Sequence, residues 1–115
     1  MEQINIKSNV EHEKIIDSEL QNAFLNCMAD SALRDILFCT IDEPKSILQI
    51  NKENNIPLRT VYRKMQFLID NKLIKISGVI TDAGKKFFLY KSRIRAINIK
   101  IDDSNTLYVY VNRNK

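Results

Sequence analysis

The 115 residues suffice for one domain with a modest core, and with 44% apolar and 28% charged residues they have an ordinary globular balance. No stretch approaches the roughly 18 continuous apolar residues of a spanning helix, and no apolar run follows a basic segment near the N-terminus. Neither a membrane span nor a signal peptide is therefore expected, and the expected compartment is the cytoplasm. The net charge of +4 is unevenly spread: residues 1–43 hold three basic side chains against nine acidic (−6), and residues 44–115 hold fifteen against five (+10). A basic second half is the electrostatic footprint of a polyanion partner, or else a cationic solvated face. A membrane surface fits less well, because no segment joins the basic residues to one strong apolar helix face.

Residues 1–15 form a polar lead that either frays or adds a strand through Ile4 and Ile6. A first helix is expected from about Glu19 to Ala29, where Ser18-Glu19-Leu20-Gln21 has capping-box spacing. Ile16, Leu20, Phe24, Cys27 and Met28 recur along it at helical spacing. A second helix, capped by Asp30 or Ser31, runs from Ser31 to about Ile41, with Leu33, Ile36, Leu37 and Ile41 inward. Asp42-Glu43-Pro44 ends it, since proline disfavours helical geometry in the residue before it. The third helix is short: Ser46-Ile47-Leu48-Gln49 repeats the capping box, and Asn54-Asn55 breaks it with a residue type tolerant of left-handed backbone. Ile56-Pro57 starts a fourth helix, proline's fixed φ suiting a first turn, and this helix continues to about Asn71.

After Leu73 the period changes. Leu73 to Thr81, the turn Asp82-Ala83-Gly84-Lys85 and the returning Phe87 to Tyr90 suggest a hairpin, with a helix from Asp82 to Arg93 as the rival. Ile97, Ile99 and Ile101, then Leu107, Val109 and Val111, alternate with polar or tyrosine residues about the turn Asp103-Ser104-Asn105. That is a second hairpin with one oily side, facing either the chain's own core or a second subunit. The expected organisation is a lead (1–15), a helical unit with its hairpin (16–93) and a C-terminal hairpin (94–115). The expected fold class is α+β: a winged helix-turn-helix of about four helices and a β-hairpin wing, followed by that C-terminal hairpin.

The fourth helix carries the chemistry. At about 100° per residue with Val61 at zero, Met65 falls at about 40° and Leu68 at about −20°, one buried stripe. Arg59 at about 160°, Arg63 at about 200°, Gln66 at about 140° and Tyr62 at about 100° occupy the other side, with no acid before Asp70. Arginine can bond a guanine edge through two donors and glutamine an adenine edge, so this face suits base reading. Phe67, at about 240°, is expected to pack against a neighbouring element. The open amides of the helix N-terminus favour a phosphate, with Thr60 adding a hydroxyl. Ser46, Lys64 and Lys75 are expected at flanking phosphates, and Lys85 and Lys86 beside Gly84 at the wing turn are expected at flanking phosphates or in the minor groove. For all of them an ordinary solvated face is the competing account.

Ala29-Asp30-Ser31-Ala32-Leu33-Arg34-Asp35-Ile36-Leu37 resembles the second-helix signature of arsenic-repressor-like winged-helix regulators. Ile56 to Met65, running on through Leu68 to Leu73-Ile74, is similar to their recognition-helix pattern. Thr81 to Lys86 with Leu89-Tyr90-Lys91-Ser92 resembles archaeal members in particular. The resemblance spans roughly residues 20–95. It implies a homodimer on a two-fold DNA operator, read by Leu58, Arg59, Tyr62 and Arg63. Pro57 stands where that family has a capping serine or threonine, and Asn55 where it has a turn glycine. Ser46-Ile47-Leu48-Gln49 stands where metal-sensing members place paired cysteines.

Cys27 and Cys39 are read as small buried hydrophobes, with a disulfide or redox switch as the other option. With His12 as the one histidine, no thiolate–imidazole set for a metal is present in the sequence, and no metal or cofactor is expected. No phosphate loop, serine elbow or placed histidine base supports an enzyme. The expected function is sequence-specific binding of double-stranded DNA as a homodimeric transcription regulator. The alternative is a protein-interaction module docking through the C-terminal hairpin.

Overall fold

The computed structural model describes residues 12–115, so the strand considered at Ile4 and Ile6 lies outside the described residues. The chain runs β1 (Glu13–Ile15), α1 (Ser18–Ala29), α2 (Ser31–Cys39), α3 (Ile47–Asn54), α4 (Leu58–Asp70), β2 (Ile74–Asp82), β3 (Lys85–Ser92), β4 (Ile94–Ile101) and β5 (Leu107–Arg113). It is an α+β fold with four helices among the described residues and two antiparallel sheets, ordered β1-β5-β4 and β2-β3. No helix among the described residues is long and apolar enough to cross a membrane.

Helix starts follow carboxylates where the sequence offers them. Asp17 caps α1, its Oδ2 accepting from the Leu20 amide at 2.9 Å, so the capping box expected at Ser18 does not form. An acidic cap also meets the positive end of the helix dipole, an advantage a serine lacks. Gln21 instead donates to the Ile15 carbonyl at 2.9 Å. This corrects the expected inward stripe as well: Ile15 is buried and Ile16 is 81% exposed, because pairing with β5 fixes the chain's direction before the helix begins. Asp30 caps α2 through the Leu33 amide.

That helix stops at Cys39 and not at Ile41, for a tertiary reason. The buried Thr40 hydroxyl donates back to the Ile36 and Leu37 carbonyls at 3.0 and 3.1 Å. The Thr40 carbonyl accepts from the Ser92 amide at 3.0 Å. A partner on β3 thus ends the helix before Pro44 can.

The Asp82–Arg93 helix does not exist. Ala83 and Gly84 both have positive φ, 52° and 81°, and two successive residues there close a tight hairpin and cannot continue a helix. β2 pairs β3 from Ile74↔Ser92 to Asp82↔Lys85, with a register shift between Ile76 and Gly78. In the second hairpin the register matches oily residue to oily residue: Ile97↔Val111, Ile99↔Val109 and Ile101↔Leu107. Over the first two pairs that face turns to the chain's own core, where Val109 and Val111 are fully buried beside Ile15, Phe24, Ile36, Leu37, Ile50, Met65 and Leu68; it runs out toward the tip, where Leu107 still packs against the core but Ile101 is 63% exposed. Cys27 is also in this core and Cys39 half-buried, both as free thiols. Burial pushes the Cys27 thiol up to about 11, with Asp30 adding to the effect, so it stays protonated.

Candidate nucleic-acid interface

The unit that presents α4 is built from the preceding turn. Ser46 caps α3 in a reciprocal box, its hydroxyl accepting from the Gln49 amide while the Gln49 side chain accepts from the Ser46 amide. Asn55 then takes left-handed backbone at φ 54°, doing the work a glycine often does, and the Asn51 side chain donates to the Ile56 carbonyl at 2.6 Å. Pro57 is the N-cap residue and not the first helical residue, with extended ψ of 141°. Its ring carries no hydrogen-bond acceptor, so α4 begins with no side-chain cap, unlike α1, α2 and α3. The amides of its first turn therefore have no side-chain acceptor at the positive end of the dipole.

Val61, Met65 and Leu68 are buried as the periodicity requires, and Phe67 is half-buried against the core. On the outer side Leu58 (38%) and Tyr62 (57%) are exposed, with Arg59 and Arg63 exposed between and beside them. Neither arginine makes an ion pair among the described residues. Thr60 is half-exposed at the same end.

A second surface lies alongside. The Lys45 and Tyr90 backbones exchange hydrogen bonds at 3.0 and 2.8 Å, pinning β3 to the segment before α3. This brings Lys86, Phe88 and Tyr90 of the hairpin to Ser46, Leu48 and Tyr62 around a groove of about 190 Å³. Lys85 and Lys86 are exposed at the hairpin tip.

No family model matches the chain, and neither does a curated protein or a solved structure. The chemistry of this surface is therefore taken from its geometry.

Leu58, Arg59, Tyr62 and Arg63 share one exposed face, Lys86 borders it across the groove from Tyr62, and the half-exposed Thr60 lies around the helix from Leu58 and Tyr62. Four other expected contacts are differently employed. Lys64 is turned to Asp30, its Nζ donating to Oδ2 at 2.6 Å, and so ties α4 to the cap of α2. The Gln66 amide donates to Asp70 at 2.8 Å, one turn along the same helix. The Ser46 hydroxyl is buried in its capping box, although its residue lines the groove. Lys75 sits at the start of β2, roughly 25 Å along the strand from the tip at ~3.3 Å per residue. It lines a different cleft, with Lys72 and Arg93.

Sequence reasoning did not single out Leu48, Phe88 or Tyr90. The signal was there, since Lys86, Phe88 and Tyr90 alternate on one side of β3, but which helix they meet is set by the Lys45–Tyr90 pairing. No group of three or more His, Cys, Asp or Glu side chains that could hold a metal occurs among the described residues.

Proposed function

We propose that the chain is a winged helix-turn-helix protein that binds double-stranded DNA in a sequence-specific manner. In this reading α3 and α4 form the helix-turn-helix, α4 enters the major groove, and the β2–β3 hairpin is the wing. One observation carries it: α4 turns Arg59, Tyr62 and Arg63 to solvent on the side opposite its buried stripe, beside an uncapped N-terminus. Guanidinium groups suit base edges and phosphates, and open amides suit phosphates. The exposed Leu58 offers an apolar contact to a thymine methyl group. Homodimeric transcription regulation of the arsenic-repressor-like kind is the further step, and it rests on the resemblance in α2 and α4. Docking through the C-terminal hairpin has less to recommend it, because Val109 is buried in the core and Leu107 packs against it.

Selection from a random duplex library, followed by anisotropy titration of the enriched site across a salt series, tests this. A palindromic site with a steep salt slope is expected. Arg59→Ala with Arg63→Ala should weaken binding by on the order of 100-fold at unchanged stability, each bidentate base contact being worth ~1–3 kcal/mol. No enriched duplex, or binding insensitive to salt, would sink it.

A further inference from the structure

We propose that the outward side of the β1-β5-β4 sheet stacks the bases of a single strand of nucleic acid. The inner side of that sheet is spent on the core through Ile15, Val109 and Val111. Strand alternation turns the residues between them the other way, and there Tyr108 and Tyr110 of β5 stand half-buried. Lys14 of β1 and Asn98 of β4 are both paired with Tyr110, and Lys100 of β4 with Tyr108. The two rings are parallel to within 7°, their centroids 6.5 Å apart. This side shares no residue with α4 or with the groove beside the β2–β3 hairpin.

Aromatic rings set in order on a sheet suit successive bases of one strand, because every base has a π-face. A duplex keeps those faces stacked on one another, so the ligand is a single strand. The rings are ordered beforehand, which lowers the cost of binding. Tyr108 is tied by its hydroxyl, which donates to Asp102 Oδ2 at 3.1 Å, and Tyr110 sits between a neighbour on each side in the sheet.

The Lys14 and Lys100 ammoniums lie 5.3 and 5.9 Å from the Tyr108 ring centroid. Both lysines are exposed, so these cation–π contacts are weak ones, and a lysine displaced by an arriving base is already within reach of its phosphate. The ionised Asp102 offsets part of that positive charge, so stacking has to supply most of the affinity. One pair further along β5, the Asn112 side-chain oxygen is shut off from water and has no hydrogen-bond partner among the described residues. The strand thus leaves an acceptor unmet beside the rings, where the N–H donors of a base edge would find it.

The test needs no duplex in the tube, so its failure is separate from failure of the double-stranded DNA reading. An oligothymidylate of about eight nucleotides is titrated into the full chain at about 0.15 M salt, and amide shifts are followed by NMR. Saturable shifts are expected at Lys14, Tyr108, Tyr110 and Asn112, with a midpoint below about 1 mM. An abasic deoxyribose-phosphate strand of the same length should not produce them. The salt slope should be no steeper than about −1.4, two ammoniums at ~0.7 each. Tyr110→Leu should raise the midpoint roughly tenfold, and Arg59→Ala with Arg63→Ala should leave it unmoved. Lys100→Gln, at an exposed position, should shallow the slope by about 0.7 and keeps the test readable if the Tyr110 variant does not fold. Shifts that do not saturate, that fall on α4 instead, that the abasic strand reproduces, or that persist unchanged in both sheet variants overturn the proposal.

Discussion

The two hairpins of this chain are close in length and differ in almost everything else. β4 and β5 are joined by β1 into three strands, and one side of that sheet is sunk in the core through Ile94, Val109 and Val111. β2 and β3 stand as a pair, buried only near their base at Ile74, Tyr90 and Ser92, while Ile76, Val79, Ile80 and Phe88 stay exposed. A lone two-stranded ribbon is marginal in water, so this one depends on its anchors: the Lys45–Tyr90 pairing and the Ser92 amide on Thr40. The C-terminal hairpin holds the fold together; the β2–β3 hairpin reaches away from it and leaves apolar and basic side chains available to a partner.

The sharpest way to break that contrast is to put one charge in each hairpin. Val109→Asp buries a carboxylate in a fully enclosed site and should cost more than ~4 kcal/mol, enough to unfold a small domain. Phe88→Asp, at a position 46% exposed, should stay within about 1 kcal/mol of the parent in urea unfolding. Equal costs at the two positions would mean that the β2–β3 hairpin is as integral to the core as the other.

Smaller in energy, but more direct for function, is the hairpin tip. Lys85→Ala with Lys86→Ala should lower the salt slope of duplex binding by about 2 with little preference among sequences, as for two phosphate contacts. Stability should hardly move, since both side chains are exposed. An unchanged slope would confine the duplex contact to α4.

How much of this was legible beforehand depends on the range of the interactions involved. The buried stripe of α4, the capping box at Ser46 and the matched oily faces of β4 and β5 follow from spacing, and the structure has them. The Asp82–Arg93 ambiguity was resolved by two residues of left-handed backbone, which composition around one glycine could not distinguish from a helix start. What spacing could not supply was long-range choice. Lys64 looks like any lysine on a helical face until Asp30, 34 residues away, is brought within 2.6 Å. Thr40 ends α2 because Ser92 needs its carbonyl. Ile15 displaces Ile16 from the core because β5 lies beside it. Competing partners from distant segments decide such positions, and a local pattern carries no information about them.

Lys64 gives the smallest expected effect on duplex binding and the finest separation of structure from recognition. The Lys64 ammonium, and next the Leu33 amide, hold the Asp30 carboxyl below the usual carboxylate range. The folded state thus keeps Asp30 ionised where the unfolded chain would already take up a proton. Its contribution is full above the ordinary value of 3.8 and is lost as pH falls through the lower folded value. Glu13, held low chiefly by Arg113, acts in the same direction. Lys64→Ala should cost about 0.5–1 kcal/mol at neutral pH, the pair being partly exposed, and should flatten the acid limb of the stability profile. Because the ammonium is turned to Asp30, the same variant should leave the salt slope of duplex binding where it was. A slope lower by about 1 would show instead that Lys64 leaves the α2 cap for a phosphate when the duplex arrives, making the ion pair a part of recognition.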